Sequence, residues 1–223
     1  RCTHPVLIVA QAQLDHADID EVLAQHATFD RVRGVRHKPR ATLCDARVKR
    51  GLVGSMDDPA WRAGFSRLEP HGFSFDLQVP FWHLDQASEL ASDFPGTQIV
   101  LNHTGLPADR SPDGLAAWHR ALEQLASRPN VAIKLSGLGR AGLPWLVSDN
   151  REVILTAIEI FGVHRSMFAS NFPVDRLCGS FQTIYGGFRE IVSGFVQIDR
   201  EKLFYSNAAR IYRLHGAAKT QST

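Results

Sequence analysis

Five polar side chains stand at or near the ends of short apolar runs, where the sequence predicts that β-strands end. They are one histidine, two cations and two neutral amides: His103, Arg36, Lys134, Gln78 and Asn171. A histidine in such a set can donate a hydrogen bond to a substrate carbonyl or bind a metal ion, and cations can hold negative charge. The structural alternative is that His103 is a hydrogen-bonded histidine beside the Thr104-Gly105 turn.

Arg36 lies in a basic segment, residues 31–50, with eight Lys or Arg residues and a single acid, Asp45. Two positions before it, Gly34 leaves space on the same strand face for a long side chain. The planar guanidinium suits a carboxylate, so Arg36 is a candidate substrate-binding residue. The other interpretation of the segment is a solvated surface loop.

The strand phases predict which side chains face inward. Asp76 and Gln78 alternate on one strand face, and an aspartate buried there needs a partner, for which Lys134 is the obvious candidate. His103 follows Ile99 and Leu101 in the same alternation, so these two are expected to point inward below it. Ser136 shares the predicted rim, but no G-x-S-x-G motif surrounds it, which argues against covalent catalysis.

The stretch "MFASNFPVD", residues 167–175, places an amide where an aspartate would be the more obvious choice. Asn171 either starts a turn before Phe-Pro or orients substrate or water, with Asp175 supplying the carboxylate four residues on. Asp175 can equally cap the following helix. Trp82, just beyond another strand end, either stacks on a flat substrate ring or covers the core.

Six apolar, β-rich runs alternate with amphipathic helical stretches and must position these side chains. The runs are residues 6–12, 31–38, 73–79, 98–103, 131–136 and 167–171. Helices are expected to begin at Asp58-Pro59 and at Ser111-Pro112, where the first residue caps and proline takes the first helical position. A further helix cap is predicted at Asp149. Strands joined by helices are parallel and covered on both faces.

Two architectures compete for this pattern, an open doubly wound sheet and a (β/α)₈ TIM barrel. Nearly every predicted strand finishes in a polar residue, and a barrel brings all these ends to the face that carries its active site. An open sheet uses only the ends beside its switch point, and no glycine-rich phosphate loop follows a strand. The pattern therefore favours an α/β fold of the (β/α)₈ TIM-barrel type, incomplete, with six of eight βα units present.

Composition and charge exclude several classes of protein. The chain has 223 residues, 44% of them hydrophobic, which suits one large domain with a substantial core. A formal charge of +2 is small for a nucleic-acid-binding protein, and no apolar run approaches the roughly 18 residues of a membrane span. Three cysteines without a C-x-x-C pair fit a reducing, cytoplasmic compartment. The expected partner is a small-molecule substrate, with neither nucleic acid nor membrane.

Four segments together resemble the amidohydrolase-related TIM-barrel hydrolases, the group that contains sugar lactonases and pyrone-dicarboxylate lactonase. They are "DDPAWRAGFSRLEPHGFSFDLQVPFWHL", "IVLNHTGLP", "NVAIKLSGLG" and "MFASNFPVD", in that order. The resemblance implies that residues 1–223 form a single barrel domain, about the C-terminal three quarters of the family domain. The six strands are then the third to the eighth. An incomplete barrel has two open edges and an exposed interior, which predicts a homo-oligomer.

The resemblance also bears on metal binding. The missing first strand normally carries an H-x-H pair, and none occurs among the ten histidines of this chain. The family's fifth-strand histidine position falls on Gln78 and its last-strand aspartate on Asn171, and amides are poor zinc ligands. No metal ligands are therefore assigned, and a divalent metal such as zinc is expected only in a chain that carries the H-x-H strand.

The function that the resemblance implies is hydrolysis of a lactone or related cyclic ester, small and anionic or sugar-derived. In that reaction His103, Asn171 and Asp175 are the candidate catalytic residues. The candidate substrate-binding residues are Arg36, Gln78, Trp82 and Lys134. The alternatives are a decarboxylase of the same barrel group and a catalytically inactive ligand-binding barrel or fragment.

Overall fold

The computed structural model describes residues 6–140 and 142–214, and in them six parallel strands form one sheet in sequential order. The strands are β1 (Ile8–Gln11), β2 (Val32–Arg36), β3 (Ser74–Leu77), β4 (Ile99–Leu101), β5 (Val131–Leu135) and β6 (Ser166–Phe168). Each strand overlaps one of the predicted runs, and every neighbouring pair is parallel. The α/β class and the six βα units are confirmed. Within the described residues, β1 and β6 are the edges of the sheet.

Helices follow each strand and cover its outer side. They are α1 (Ile19–Ala27), α2 (Pro59–Phe65), α3 (Leu84–Asp93), α4 (Pro112–Ala126), α5 (Val147–Phe161), α6 (Phe181–Ile191), α7 (Gln197–Glu201) and α8 (Asn207–Ile211), with a π-helical turn at Lys202–Ser206. Asp58 and Ser111 accept hydrogen bonds from Ala60 N and Gly114 N, so both predicted caps are confirmed. No helix in the described part of the chain has the length and apolar character needed to span a membrane.

The predicted cap at Asp149 is wrong. Helix α5 begins two residues earlier, and Leu146 occupies the extended position before it. Asp149 instead lies in the first helical turn, where a negative charge is favoured by the helix dipole, and its carboxylate pairs with Arg140.

The two faces of the sheet contact different groups of buried residues, and these contacts show which residues of β4 face the helices and which face the interior. Ile99 and Leu101 belong to the main core, packed with the buried residues of the helices. Val100, between them, belongs to a second cluster on the opposite, inner face with Ala132 and Met167. The expectation that Ile99 and Leu101 point inward is therefore wrong. The three-residue strand is buried on both faces, so its sequence carries no polar alternation that could have set the phase.

The C-terminal segment covers part of the inner face. Ile211 and Tyr212 are buried in the inner cluster. Asn207 at the start of α8 donates to Ser166 O at 2.8 Å, and Arg213 Nη2 donates to Arg33 O at 2.8 Å. The expected exposed interior is thus partly filled by the chain itself, while association into a homo-oligomer stays a prediction.

Candidate active site

His103 begins a tight turn directly after β4. The turn His103–Gly105 has left-handed backbone throughout, with a φ of 56° at both His103 and Thr104 and of 69° at Gly105. Left-handed backbone at a residue other than glycine costs on the order of 1 kcal/mol or more, so neighbouring contacts must hold it. Trp118 Nε1 donates to Thr104 O at 2.8 Å, and Thr104 Oγ1 donates to Ser136 O at 3.2 Å. These bonds fix the turn between helix α4, which carries Trp118, and the end of β5.

The imidazole of His103 lies against the loop that follows β5. Its Nδ1 is 3.0 Å from Ser136 Oγ, and only 9% of the residue is exposed. Gly137 has a φ of 64°, and a Cβ there would stand 2.5 Å from His103 Cβ. Glycine at 137 is therefore required both by the turn and by the close approach of the histidine.

Burial and neighbouring cations keep His103 neutral. The pKa of His103 is lowered to about 4, with burial as the largest cause and the charges of Arg36, Lys134 and Lys38 as further causes. Asp76 opposes this shift only in part. At neutral pH the ring is an uncharged hydrogen-bonding group in a positively charged setting, which suits it to meet a developing oxyanion.

We expect His103 to stay unprotonated until the pH falls to about 4, and NMR titration of its ring resonances checks this. A folded-state pKa below the unfolded value of about 6.5 adds stability above that value, and the stability is lost as the pH falls from about 6.5 toward 4. A His103→Asn variant should lack this part of the pH dependence of unfolding. A ring that titrates near 6.5 in the folded protein would contradict the buried, cation-lined environment.

Arg36 ends β2 on the inner side of the site, where its charge acts on His103. Its half-buried side chain has a buried Nε with no hydrogen-bond partner among the described residues. Glycine is required at position 34, since a Cβ there would stand 2.5 Å from Ser74 Oγ and 2.9 Å from Ser74 O on the neighbouring strand.

The predicted pair between Asp76 and Lys134 is confirmed. Lys134 Nζ binds Asp76 Oδ2, and the carboxylate is 4% exposed. The second oxygen, Oδ1, accepts a hydrogen bond from Tyr212 at 2.7 Å, a contact that the sequence did not suggest. Lys134 Nζ also lies 5.1 Å from the centre of the Tyr212 ring. With both of its oxygens engaged, Asp76 holds the lysine in place.

Gln78 follows β3 on the same face as Asp76 and is half-buried, with its Oε1 buried. Its neighbour on the next strand is Asn102, which is 2% exposed. Asn102 was missed because the strand before it was assigned the wrong phase. Asn102 stands two residues after Val100, and alternate residues of a strand share a face, so an inward Val100 would have predicted an inward Asn102.

Asn171 lies beyond the end of β6, with a φ of 54°, in the left-handed conformation that asparagine tolerates well. Its Nδ2 donates to Asp175 Oδ1 at 2.8 Å. Asp175 is 5% exposed, and burial raises the pKa of its carboxyl, opposed by hydrogen bonds from Asn171 and the Gly139 backbone. Asp175 is not a cap of α6, because Ser180 takes that place. The two residues act as a unit.

Trp82 is half-buried and belongs to the wall beside the loop after β2. Its Nε1 donates to Thr42 O at 3.2 Å, and its ring meets Phe81 edge-on at 5.1 Å. The ring packs against the main core. The structure thus gives Trp82 a packing role, and contact with a substrate ring stays a prediction.

The candidate residues fall into two groups that meet at the loop after β5. His103 lies in the field of Arg36, Lys134 and Lys38. Asn171 and Asp175 form the second group, which reaches the same loop at Gly139, while His103 reaches it at Gly137.

The residues present do not fit the zinc ion that the family resemblance implies. Across the described residues, no three His, Cys, Asp or Glu side chains are grouped so that they could hold one ion. His103 supplies a single nitrogen, both Asp76 oxygens are engaged by Lys134 and Tyr212, and Asp175 accepts from Asn171. No step is therefore assigned to a metal.

The chain is similar to known proteins over nearly its whole length. The chain is 40% identical over 207 residues to an uncharacterized protein of Sinorhizobium fredii, covering 93% of this chain and 69% of that protein. It is 29% identical over 220 residues to L-fucono-1,5-lactonase of Burkholderia ambifaria, covering 96% and 72%. The crystal structure of an amidohydrolase from Burkholderia multivorans with bound zinc matches with a TM-score of 0.78 at 25% identity, covering 93% and 73%.

The likeness in structure confirms the predicted barrel type, with the six strands of this chain as six of its βα units. The amidohydrolase family matches residues 2–214 of this chain. The protein is a hydrolase, and the chain belongs to the amidohydrolase family.

Proposed function

We propose that this protein hydrolyses a lactone, a small cyclic ester derived from a sugar acid. The observation that carries the proposal is the neutral imidazole of His103 surrounded by the charges of Arg36, Lys38 and Lys134. A neutral donor among cations suits the oxyanion that forms when water attacks an ester carbonyl. The relative named L-fucono-1,5-lactonase supports a sugar-derived ring.

In the proposed reaction His103 binds the carbonyl oxygen. With Ser136 Oγ donating to Nδ1, the ring proton is on Nε2, which then donates to the carbonyl. Negative charge that develops on this oxygen is stabilised by Arg36 and Lys134. The same cations hold the carboxylate that ring opening produces, which accounts for a positively charged site in a hydrolase whose product is an acid.

The proposed base is Asp175, since the other buried carboxylate, Asp76, is held in an ion pair with Lys134. Asp175 takes a proton as water adds to the carbonyl carbon, and it returns the proton to the ring oxygen when the ester C–O bond breaks. The products are a carboxylic acid and an alcohol on one open chain. Burial raises the pKa of Asp175 and so makes it a stronger base than an exposed carboxylate. Asn171 orients it.

We place this reaction in the cytoplasm. Cys44 and Cys178 are both free thiols in the described part of the chain. Unpaired thiols fit a reducing compartment.

We expect the protein to open an aldono-1,5-lactone or an aldono-1,4-lactone, with acid release followed by a pH indicator. Adding a chelator should leave the rate unchanged, because no three side chains in residues 6–140 and 142–214 are grouped as metal ligands. A linear ester of the same acid serves as the comparison and should react more slowly. A folded protein that opens neither ring above the spontaneous rate would overturn the proposal.

A further inference from the structure

Gln78, Asn102 and Lys134 occupy one level of the sheet on three neighbouring strands. The register pairs Leu77 with Leu101 and Leu101 with Ile133, so the next residue on each strand stands at the same height. Asn102 N donates to Leu77 O at 2.8 Å, which continues the ladder past the end of β4. Paired residues of parallel strands point to the same face.

That face is the inner one. Two residues before Asn102 and Lys134 are Val100 and Ala132, both members of the inner cluster. Lys134 reaches down to Asp76, which stands two residues before Gln78. The amides of Gln78 and Asn102 are therefore directed into the barrel interior on the His103 side, one layer above Asp76.

Polar atoms in this layer are buried without partners. Asn102 is 2% exposed, and its Nδ2 has no hydrogen-bond partner in residues 6–140 and 142–214. The Oε1 of Gln78 is likewise buried without a partner among these residues, and so is Arg36 Nε on the strand beside it, where the register places Arg36 level with Asp76, one layer below. Buried polar groups in native proteins are nearly always satisfied, so these atoms are available to a bound molecule that enters the layer.

The chemistry of the layer indicates which ligand. A neutral donor, Asn102 Nδ2, stands next to a neutral acceptor, Gln78 Oε1. A hydroxyl group donates and accepts at once and satisfies both. A second carboxylate only accepts and would set its charge against the glutamine oxygen.

We propose that Gln78 and Asn102 bind ring hydroxyl groups of the substrate and so select a polyhydroxylated lactone over rings that lack hydroxyls. This inference rests on the proposed lactonase function and names the part of the site that recognises its substrate. Asn102 is thereby a specificity-determining residue. A site built to bond a hydroxyl discriminates strongly against the analogue without it, because its own polar groups are then left unpaired.

The test compares Asn102→Leu with the unaltered protein on an aldono-1,5-lactone and on δ-valerolactone, the same ring without hydroxyls. We expect kcat/KM on the aldonolactone to fall by about 10- to 100-fold and that on δ-valerolactone to change by less than about threefold. Gln78→Met, at a less buried position, should give the same pattern if Asn102→Leu does not fold. Equal losses on both substrates, or no loss on either, would overturn the assignment.

Thr97→Val is the matched control. Thr97 is 1% exposed and precedes β4, and its Oγ1 likewise has no partner in the described chain, but it lies at the opposite end of the strand. It should leave the preference between the two substrates unchanged. A preference that falls as far in Thr97→Val as in Asn102→Leu would show that any buried change on this strand has the effect, and would overturn the assignment.

Calorimetric binding of an aldonate and of hexanoate separates this inference from the proposed reaction. Both probes carry one carboxylate, and only the aldonate carries the hydroxyls. If the aldonate binds more tightly than hexanoate and Asn102→Leu removes this difference, the assignment of Gln78 and Asn102 to hydroxyl binding is supported. This holds even if no lactone is opened, and only the proposed reaction is then wrong. Lactone hydrolysis with equal binding of the two acids would sink the inference and leave the reaction standing.

Discussion

Replacing His103 by asparagine is expected to lower kcat for lactone hydrolysis by about 10²- to 10⁴-fold, the range for loss of a positioned catalytic group. Asparagine suits the experiment because it tolerates the left-handed backbone that position 103 requires. The cations around the site remain, so substrate binding should persist and KM should change much less than kcat. Steady-state kinetics on an aldono-1,5-lactone measures both.

Two controls show whether the loss belongs to the imidazole at this position. His119→Asn changes a histidine on α4 whose side chain is 44% exposed, and it should leave kcat unchanged. Imidazole added to His103→Asn should restore part of the lost rate, which a purely structural defect would not permit. Full activity in a folded His103→Asn protein would remove His103 from the mechanism.

Most of the architecture could be predicted because it is encoded locally. Asp58-Pro59 and Ser111-Pro112 begin helices where expected, since a cap acts within two or three residues of its position. The buried pair of Asp76 and Lys134 could also be predicted, because a charge on an inner strand face needs a partner.

The parts that sequence could not supply depend on long-range contacts. Tyr212 meets Asp76 across 136 positions of the chain, and no local pattern announces such a bond. The phase of β4 was predicted wrongly for a different reason. All three of its residues are apolar and buried, so the sequence does not distinguish the inner face from the outer one. That error hid Asn102, which the register places beside Gln78.

The site therefore combines the neutral imidazole of His103 with the ion pair of Lys134 and Asp76, which lies deeper in the barrel interior. Tyr212 and Lys134 share the carboxylate of Asp76, while burial and the nearby cations keep the imidazole of His103 neutral. This division has a direct electrostatic cause. Each cation disfavours protonation of the imidazole, and the buried carboxylate is engaged by the lysine rather than by the ring.

The amide of Asn171 is a hydrogen-bond donor to Asp175, and replacing it by a carboxylate is expected to lower the stability of the protein. Asn171→Asp replaces the donor to Asp175 by another acceptor, so two carboxylates would face each other where Nδ2 and Oδ1 now stand 2.8 Å apart. We expect the free energy of unfolding at pH 7 to fall by about 3 kcal/mol, from the lost charge-assisted bond and the new repulsion. Urea unfolding measures it.

The pH dependence and a double variant test this cause. Repulsion raises the folded-state pKa of one carboxyl above its unfolded value of about 3.9, so the variant should be relatively most stable in acid. It should lose that stability as the pH rises through the raised pKa. Asn171→Asp combined with Asp175→Asn restores one amide and one carboxylate, and stability should return. If the double variant folds well but no longer opens the lactone, the carboxylate must stand at 175, as the proposed base requires. A fully active double variant would show that the reaction needs no carboxylate at position 175, and would overturn the assignment of Asp175 as the base.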